Sequence, residues 1–128
     1  MEMRLAGTRA LVTGAGSDGI GRAVAIALAR AGADVAIHHL GQPAGAAIAR
    51  DAIEAAGRRC VALEADFSAS GSAARLVQEA EAALGGVDIL VCAAATLLRR
   101  PALETTDEDW ERVHRVNLHL QDALNGSH

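Results

Sequence analysis

The 128-residue chain contains no tyrosine, and its twelve basic residues are all arginines, so it also contains no lysine. A mechanism that needs a phenol or an ε-amine is therefore excluded for this polypeptide acting alone. Aromatic side chains are nearly absent too, Phe67 and Trp110 being the only two. Sixteen acids against twelve arginines leave a net charge of −4, and no basic cluster stands out. Nucleic-acid binding calls for a cationic face and often for stacking rings, so no nucleic acid is expected as a partner. No apolar run reaches the length of a membrane span, and Met1-Glu2-Met3-Arg4 lacks the apolar core of a secretory signal. No membrane partner is expected. The two cysteines, Cys60 and Cys92, have no metal-type spacing. Free thiols in a reducing cytoplasm are the expectation.

What the chain does have is regular punctuation. Ala10-Leu11-Val12-Thr13 is a short apolar run that stops at a glycine-rich loop. Ile20, Ala23, Val24, Ala27, Leu28 and Ala31 then recur at helical spacing before Gly32. Val35 to His39 reads as a strand, Pro43 to Ala56 as an alanine-rich helix ended by Gly57, and Cys60 to Leu63 as another strand. Leu76, Val77, Ala80, Ala83 and Leu84 mark one face of a helix that stops at Gly85-Gly86. Val87 to Cys92 is an apolar strand apart from Asp88. Thr105 and Glu108 have the spacing of a capping box and open a fourth helix. Apolar strands alternating with helices imply an α/β fold with a parallel sheet sandwiched by helices. Right-handed crossovers make it Rossmann-type.

Gly14-Ala15-Gly16-Ser17-Asp18-Gly19 fits G-x-G-x-x-G, and Gly21 follows. The motif is weak alone and gains meaning from its place between the first strand and the first helix. Glycines allow a tight turn and close backbone approach. The N–H groups opening the helix then face an anion, aided by the helix dipole. A dinucleotide pyrophosphate is the natural ligand, and the alternative is a glycine-rich turn with no ligand.

The run Thr13-Gly14-Ala15-Gly16-Ser17-Asp18-Gly19-Ile20-Gly21-Arg22-Ala23 resembles the cofactor loop of the short-chain dehydrogenase/reductase family, with one additional residue between Gly14 and Gly19. Glu64 to Ser68 resembles the segment in which an aspartate, here Asp66 followed by Phe67, contacts the adenine. Val87 to Val91 resembles the strand before the family's N-N-A-G motif. Asp109 to Leu118 resembles the helix with the family's catalytic-tetrad asparagine, here Asn117. The resemblance implies an NAD(P)-dependent oxidoreductase that moves a hydride between the cofactor and a carbonyl or alcohol. It implies cofactor contacts from Gly14, Gly16, Ser17, Asp18, Gly19, Ile20, Gly21, His39, Asp66, Phe67, Ala93 and Ala94.

Two departures qualify it. Cys92-Ala93-Ala94-Ala95 stands where N-N-A-G is expected. A thiol donates a hydrogen bond only weakly, so the tie made there by an asparagine is weakened. Backbone contacts from Ala93 and Ala94 need no side chain. Cys92 reads as a buried strand cysteine, with a nucleophile as the sharper alternative. The larger departure is length. The family's serine and its Y-x-x-x-K pair follow the point where this chain stops, so of the tetrad only Asn117 is present. The expectation is one truncated NAD(P)-binding Rossmann domain over residues 1–128, with about four strands ordered 3-2-1-4, and inactive by itself. The alternative is a non-enzymatic interaction module, associating through its exposed sheet edge and its last helix. Homo-oligomerisation or association with another chain is expected under either reading. On the last helix, Trp110, Val113, Val116, Leu120 and Leu124 fall on one side, which either packs on the sheet or meets a partner.

An acid at the end of the second strand would hold NAD ribose hydroxyls, whereas this sequence has His38-His39-Leu40 there. Without the acid a 2′-phosphate meets less repulsion, and His39 offers a donor or, protonated, a cation. NADP is favoured, with NAD as the alternative. Asp34 lies at the wrong end of that strand and reads as a turn residue, and Arg22 reads as a solvated surface charge. His38 and His39 are adjacent on a strand and point to opposite faces, so they form no chelate, and no metal site is expected.

Overall fold

A computed structural model describes residues 4–93. The fourth helix, Ala94 and Asn117 lie outside the described residues. Among the described residues, four strands and three helices alternate. They are β1 (Arg9–Thr13), α1 (Ile20–Arg30), β2 (Asp34–His39), α2 (Pro43–Ala55), β3 (Cys60–Glu64), α3 (Ser72–Leu84) and β4 (Ile89–Cys92). The strands are all parallel in the order β3-β2-β1-β4, as expected for the first half of a Rossmann fold.

The two-residue period of the strands sorts their side chains between two cores. Leu11, Ala36, Val61, Leu63, Leu90 and Cys92 face α3, where Leu76, Val77, Ala80 and Leu84 meet them. Val12, Val35, Ile37, Cys60, Ala62 and Val91 face α1 and α2, where Ala25, Ala29, Ala46, Ala49 and Ile53 meet them. Alanines on α1 and α2 bring those helices close to the sheet. Leu11, Ile37, Ile53 and Leu76 are essentially fully buried, and each such side chain contributes roughly 1.5–3 kcal/mol.

Charged ties hold the end of the sheet opposite the glycine loop. Asp88 precedes β4 rather than lying within it. Its carboxylate accepts the Arg9 backbone N–H at 2.9 Å and Arg9 Nε–H at 3.2 Å, while Arg9 Nη1 donates to the Gly85 carbonyl at 2.6 Å. Asp34 likewise opens β2 and accepts Arg59 N–H and Nε–H, each at 3.0 Å. Burial pushes the Asp34 carboxyl up, but the Arg59 bonds, with Arg58, hold it below its ordinary range. Asp34 thus joins the start of β2 to the start of β3, far from the ends where the glycine loop lies.

Candidate functional site

The carboxyl ends of β1, β2 and β3 meet at one rim of the sheet, and the glycine loop crosses it. Gly14 leaves β1 with φ +70°, a conformation that suits glycine. Ala15 N–H donates to the His38 carbonyl at 2.9 Å, so the loop stays joined to β2 after the strand pairing ends. Gly19 caps α1 from an extended conformation, without a side-chain cap and with no acid in the first turn. Ala23 N–H bonds to the Gly19 carbonyl at 3.1 Å. The N–H groups of Ile20, Gly21 and Arg22 therefore have no intrahelical acceptor, and the positive end of the helix dipole lies with them. Ile20 is 72% exposed beside them. Such a terminus can take an anion.

Close backbone packing sets this geometry. A Cβ on Gly21 would overlap the Gly14 carbonyl oxygen and lie 3.2 Å from Ala93 Cβ. Gly21 thus lets α1 press on the first turn and on the end of β4. A Cβ on Gly16 would lie 2.6 Å from His39 Cβ and 2.8 Å from Gln42 Oε1. Ser17 is half-buried and Asp18 exposed, so their place in the loop leaves their backbone as the nearer resource for a phosphate.

His38 and His39 do point to opposite faces of the sheet. His38 is 4% exposed on the α3 side, and its ring lies 4.5 Å from that of Phe67 at 29°. Its Nδ1 accepts Gly14 N–H at 3.1 Å. The ring proton is therefore on Nε2, which donates to the Ala65 carbonyl at 2.8 Å. Burial lowers the His38 pKa from its ordinary 6.5, outweighing the opposing Ala65 bond. His39, 8% exposed, accepts Gln42 N–H on Nδ1 at 3.1 Å. Glu64 Oε2 is 3.8 Å from that nitrogen and accepts Gly41 N–H at 2.8 Å. Asp66 Oδ1 accepts Ser68 N–H at 2.9 Å and the Ser68 hydroxyl at 2.7 Å, so this carboxylate also organises its own turn. Thr13 and Cys92 are register partners at the ends of β1 and β4. Burial pushes the Cys92 thiol up, against a hydrogen bond with Thr13, and pushes Cys60 up to about 12. Both are thus poor thiolates, and Cys92 fits the strand-cysteine reading.

The rim is the crevice in which open α/β sheets bind nucleotides. The sequence profile of the short chain dehydrogenase family matches residues 8–120, nearly the whole chain. The chain belongs to that family. It is 42% identical over 113 residues to a short-chain dehydrogenase/reductase of Armillaria gallica, covering 88% of this chain and 43% of the relative. It is 40% identical over 117 residues to the hydroxynaphthalene reductase-like protein Arp2 of Metarhizium majus, covering 91% of this chain and 43% of the relative. Among solved structures, a short chain dehydrogenase from Burkholderia cenocepacia in complex with NADP is 36% identical with a TM-score of 0.81. That likeness covers 95% of this chain and 51% of the other. This short-chain dehydrogenase sequence thus spans about half the length of the relatives it matches.

Several residues that shape the rim escaped the reading of the sequence. Arg22 is not a solvated charge. Its Nη2 reaches the carbonyls of Gly16 and Gly45, at 3.4 Å each, and its Nε is buried with no hydrogen-bond partner among the described residues. Gly45 faces the Gly16 carbonyl, where a Cβ would overlap the oxygen. The signal for Gly45 was visible, since a lone glycine inside an alanine-rich helix usually marks a close approach. His38 and Glu64 gave no signal, because their roles depend on which strands become neighbours.

The His38 shift carries a stability prediction. An unfolded chain protonates this ring near 6.5, and the folded protein does so only at lower pH. Below 6.5 the unfolded state binds more protons, so stability falls with pH and levels off once the folded ring is charged. Asp34 adds a second loss as pH drops below its ordinary 3.8 toward its lower folded value. Urea midpoints measured across this range should decline in the first window for the natural chain and less for His38→Asn. Parallel declines in the two proteins would assign the loss to other groups.

Proposed function

We propose that residues 1–128 form one NAD(P)-binding Rossmann domain, the nucleotide-binding half of an oxidoreductase acting on a carbonyl or alcohol. The observation that carries this reading is the uncapped start of α1, free of acids in its first turn, beside a backbone turn narrowed by Gly14 and Gly21. Backbone groups of Gly16, Ser17, Asp18, Gly19, Ile20 and Gly21 hold the pyrophosphate, and Gly14, whose N–H is taken by His38, shapes the turn beside them. Asp66 and Phe67 border the adenine, and Ala93 and Ala94 offer main-chain contacts further along the rim. His39 sits by the adenosine ribose. Asn117 keeps the family position for holding a water in a proton relay. When bound, the nicotinamide supplies the hydride.

NADP is the proposed cofactor, since β2 ends in His39 without an acid. Glu64 opposes this choice, being the acid nearest the His39 ring among the described residues, but its carboxylate already accepts Gly41 N–H. Soluble cytoplasmic residence is part of the same proposal. Among the described residues no helix is long and apolar enough to cross a membrane. Association with a second chain is also proposed. All four residues of β4 are only half-buried, and β4 is an edge among the described strands.

Calorimetric titration with NADPH and NADH tests the reading. NADPH should bind more tightly than NADH, and absence of binding by either overturns the proposal. A carbonyl panel should show no steady reduction by the 128 residues alone, because a general acid–base contribution of about 10²–10⁴ in rate has no tyrosine or lysine to supply it. Robust turnover would remove the claim of inactivity. Sedimentation without nucleotide separates the alternative, an interaction module, which predicts tight association with no nucleotide binding.

A further inference from the structure

The rim contains one buried ionisable ring that no cofactor contact explains. We propose that His38 is a positioning residue: in its uncharged form, with the proton on Nε2, it staples the pyrophosphate loop to the adenine-side loop, so nucleotide affinity depends on that ring staying uncharged. The proposal rests on the dinucleotide-binding reading and deepens it.

Three observations support it. First, the two hydrogen bonds of the ring end on different loops. Nδ1 takes Gly14 N–H at 3.1 Å, and Nε2–H gives to the Ala65 carbonyl at 2.8 Å. Gly14 opens the turn that aims α1, and Ala65 directly precedes Asp66 and Phe67. Second, Phe67 covers the ring at 4.5 Å, and only 4% of His38 is exposed, so water does not readily replace either bond. Third, the tautomer is dictated. A second ring proton would sit on Nδ1 and face the Gly14 N–H, donor against donor, so charging His38 must release Gly14 or move the ring.

The surroundings do little to favour the charge. On β2 itself, His39 opposes it. From β3, Glu64 favours it, but that carboxylate is 56% exposed and accepts Gly41 N–H. From the following loop, Asp66 is engaged by Ser68. The α1 first turn brings no acid. Burial dominates, and the ring is held neutral around physiological pH.

The test uses the whole 128-residue chain and two readouts. The first needs no nucleotide. Long-range proton–nitrogen spectra of the His38 ring should show the Nε2–H form at about pH 8. A ring protonated on Nδ1 overturns the proposal. Gly14 amide exchange should quicken about tenfold in His38→Leu, which removes the acceptor. Unchanged exchange also overturns it. The second readout is NADPH affinity from about pH 8 down to about pH 5. His38→Leu should bind about tenfold more weakly at the upper end. His38→Asn offers Oδ1 in the place of Nδ1 and does not titrate. It should bind within about threefold of the natural chain at the upper end and lose less affinity on acidification. An Asn variant that follows the natural chain down would assign the pH dependence to another group, such as His39, and end the proposal. If His38→Leu does not fold, the tautomer and the Asn profile still decide. If no protein binds nucleotide while the tautomer and Gly14 exchange come out as stated, the cofactor reading falls and the staple remains as a loop constraint. If nucleotide binds well and is indifferent to His38, only the staple falls.

Discussion

Gly21→Ala should weaken nucleotide binding well over tenfold and lower the stability of the fold by about 2 kcal/mol. Two effects of opposite sign compete at this position. Alanine is a better helix residue than glycine, and in a free helix the exchange would stabilise by roughly 0.8–1.0 kcal/mol. Here the added Cβ would overlap the Gly14 carbonyl oxygen and lie 2.8 Å from the Gly14 carbonyl carbon, both backbone atoms. Ala93 Cβ, at 3.2 Å, crowds the added methyl further. No rotamer change relieves a backbone overlap, so α1 or the β1 turn must move. Overpacking of this kind costs typically 1–3 kcal/mol and occasionally more, and the upper part of that range applies when both neighbours are fixed. The shift also turns the Ile20, Gly21 and Arg22 N–H groups away from the turn they face. A pyrophosphate held by several such donors should weaken well over tenfold. Chemical denaturation and NADPH titration of the same variant check the two parts. Affinity retained within about threefold would mean that the start of α1 is not where the anion binds.

The architecture was legible in the sequence because its signals are local. Apolar runs of strand length, helices closed by Gly32, Gly57 and Gly85, and a glycine motif at the first strand–helix junction sufficed for strand type and layering, and the strand order came from the Rossmann-type reading and the family resemblance. Boundaries differed by a residue or two where a polar side chain had other work. Asp88 was read inside the fourth strand, yet it stands before β4 because its carboxylate is taken up by Arg9. Arg22 was read as a surface charge from its place on an amphipathic helix. It lies instead over Gly16 and Gly45, a position created by the packing of α2 against the loop.

The rim shows the same division more sharply. Gly14 and Gly21 were legible because glycine at those positions has few explanations other than a tight turn or a close approach. His38 was not, because its two bonds run to residues 24 and 27 positions away in sequence. Nor was Glu64, which meets His39 only because β3 pairs with β2 in the register that places them side by side. Asp66 and Phe67, which the resemblance assigns to the adenine, each have a structural duty in the fold, one in its own turn and the other against His38. Side chains that serve the fold and the ligand together are hard to assign from sequence, since either role alone accounts for the residue type.

Gly45→Ala should separate binding from stability more cleanly than Gly21→Ala does. The added Cβ would overlap the Gly16 carbonyl oxygen, lie 2.9 Å from the Gly16 carbonyl carbon and sit 3.0 Å from Arg22 Nη2. This overlap is also with backbone, but the surroundings differ. Gly45 lies in the first turn of α2, after the exposed residues Gln42, Pro43 and Ala44, and no side-chain cap anchors that end. The turn can move outward into water at modest cost, and the helix gains roughly 0.8–1.0 kcal/mol from the glycine-to-alanine exchange. Net stability should therefore change by less than about 1 kcal/mol. The loop does not escape as easily. Gly16 is wedged between the first turn of α2 and His39 Cβ, and Arg22 ties its carbonyl to that of Gly45. Displacing α2 breaks the tie and alters the loop proposed to hold the adenosine phosphates. NADPH affinity should fall about tenfold with the urea midpoint nearly unchanged. NADH should lose less, because the displaced turn borders His39 and the proposed 2′-phosphate position. Equal losses for the two nucleotides would place the 2′-phosphate elsewhere on the rim, and a large fall in the midpoint would mean that α2 cannot move as its exposed first turn implies.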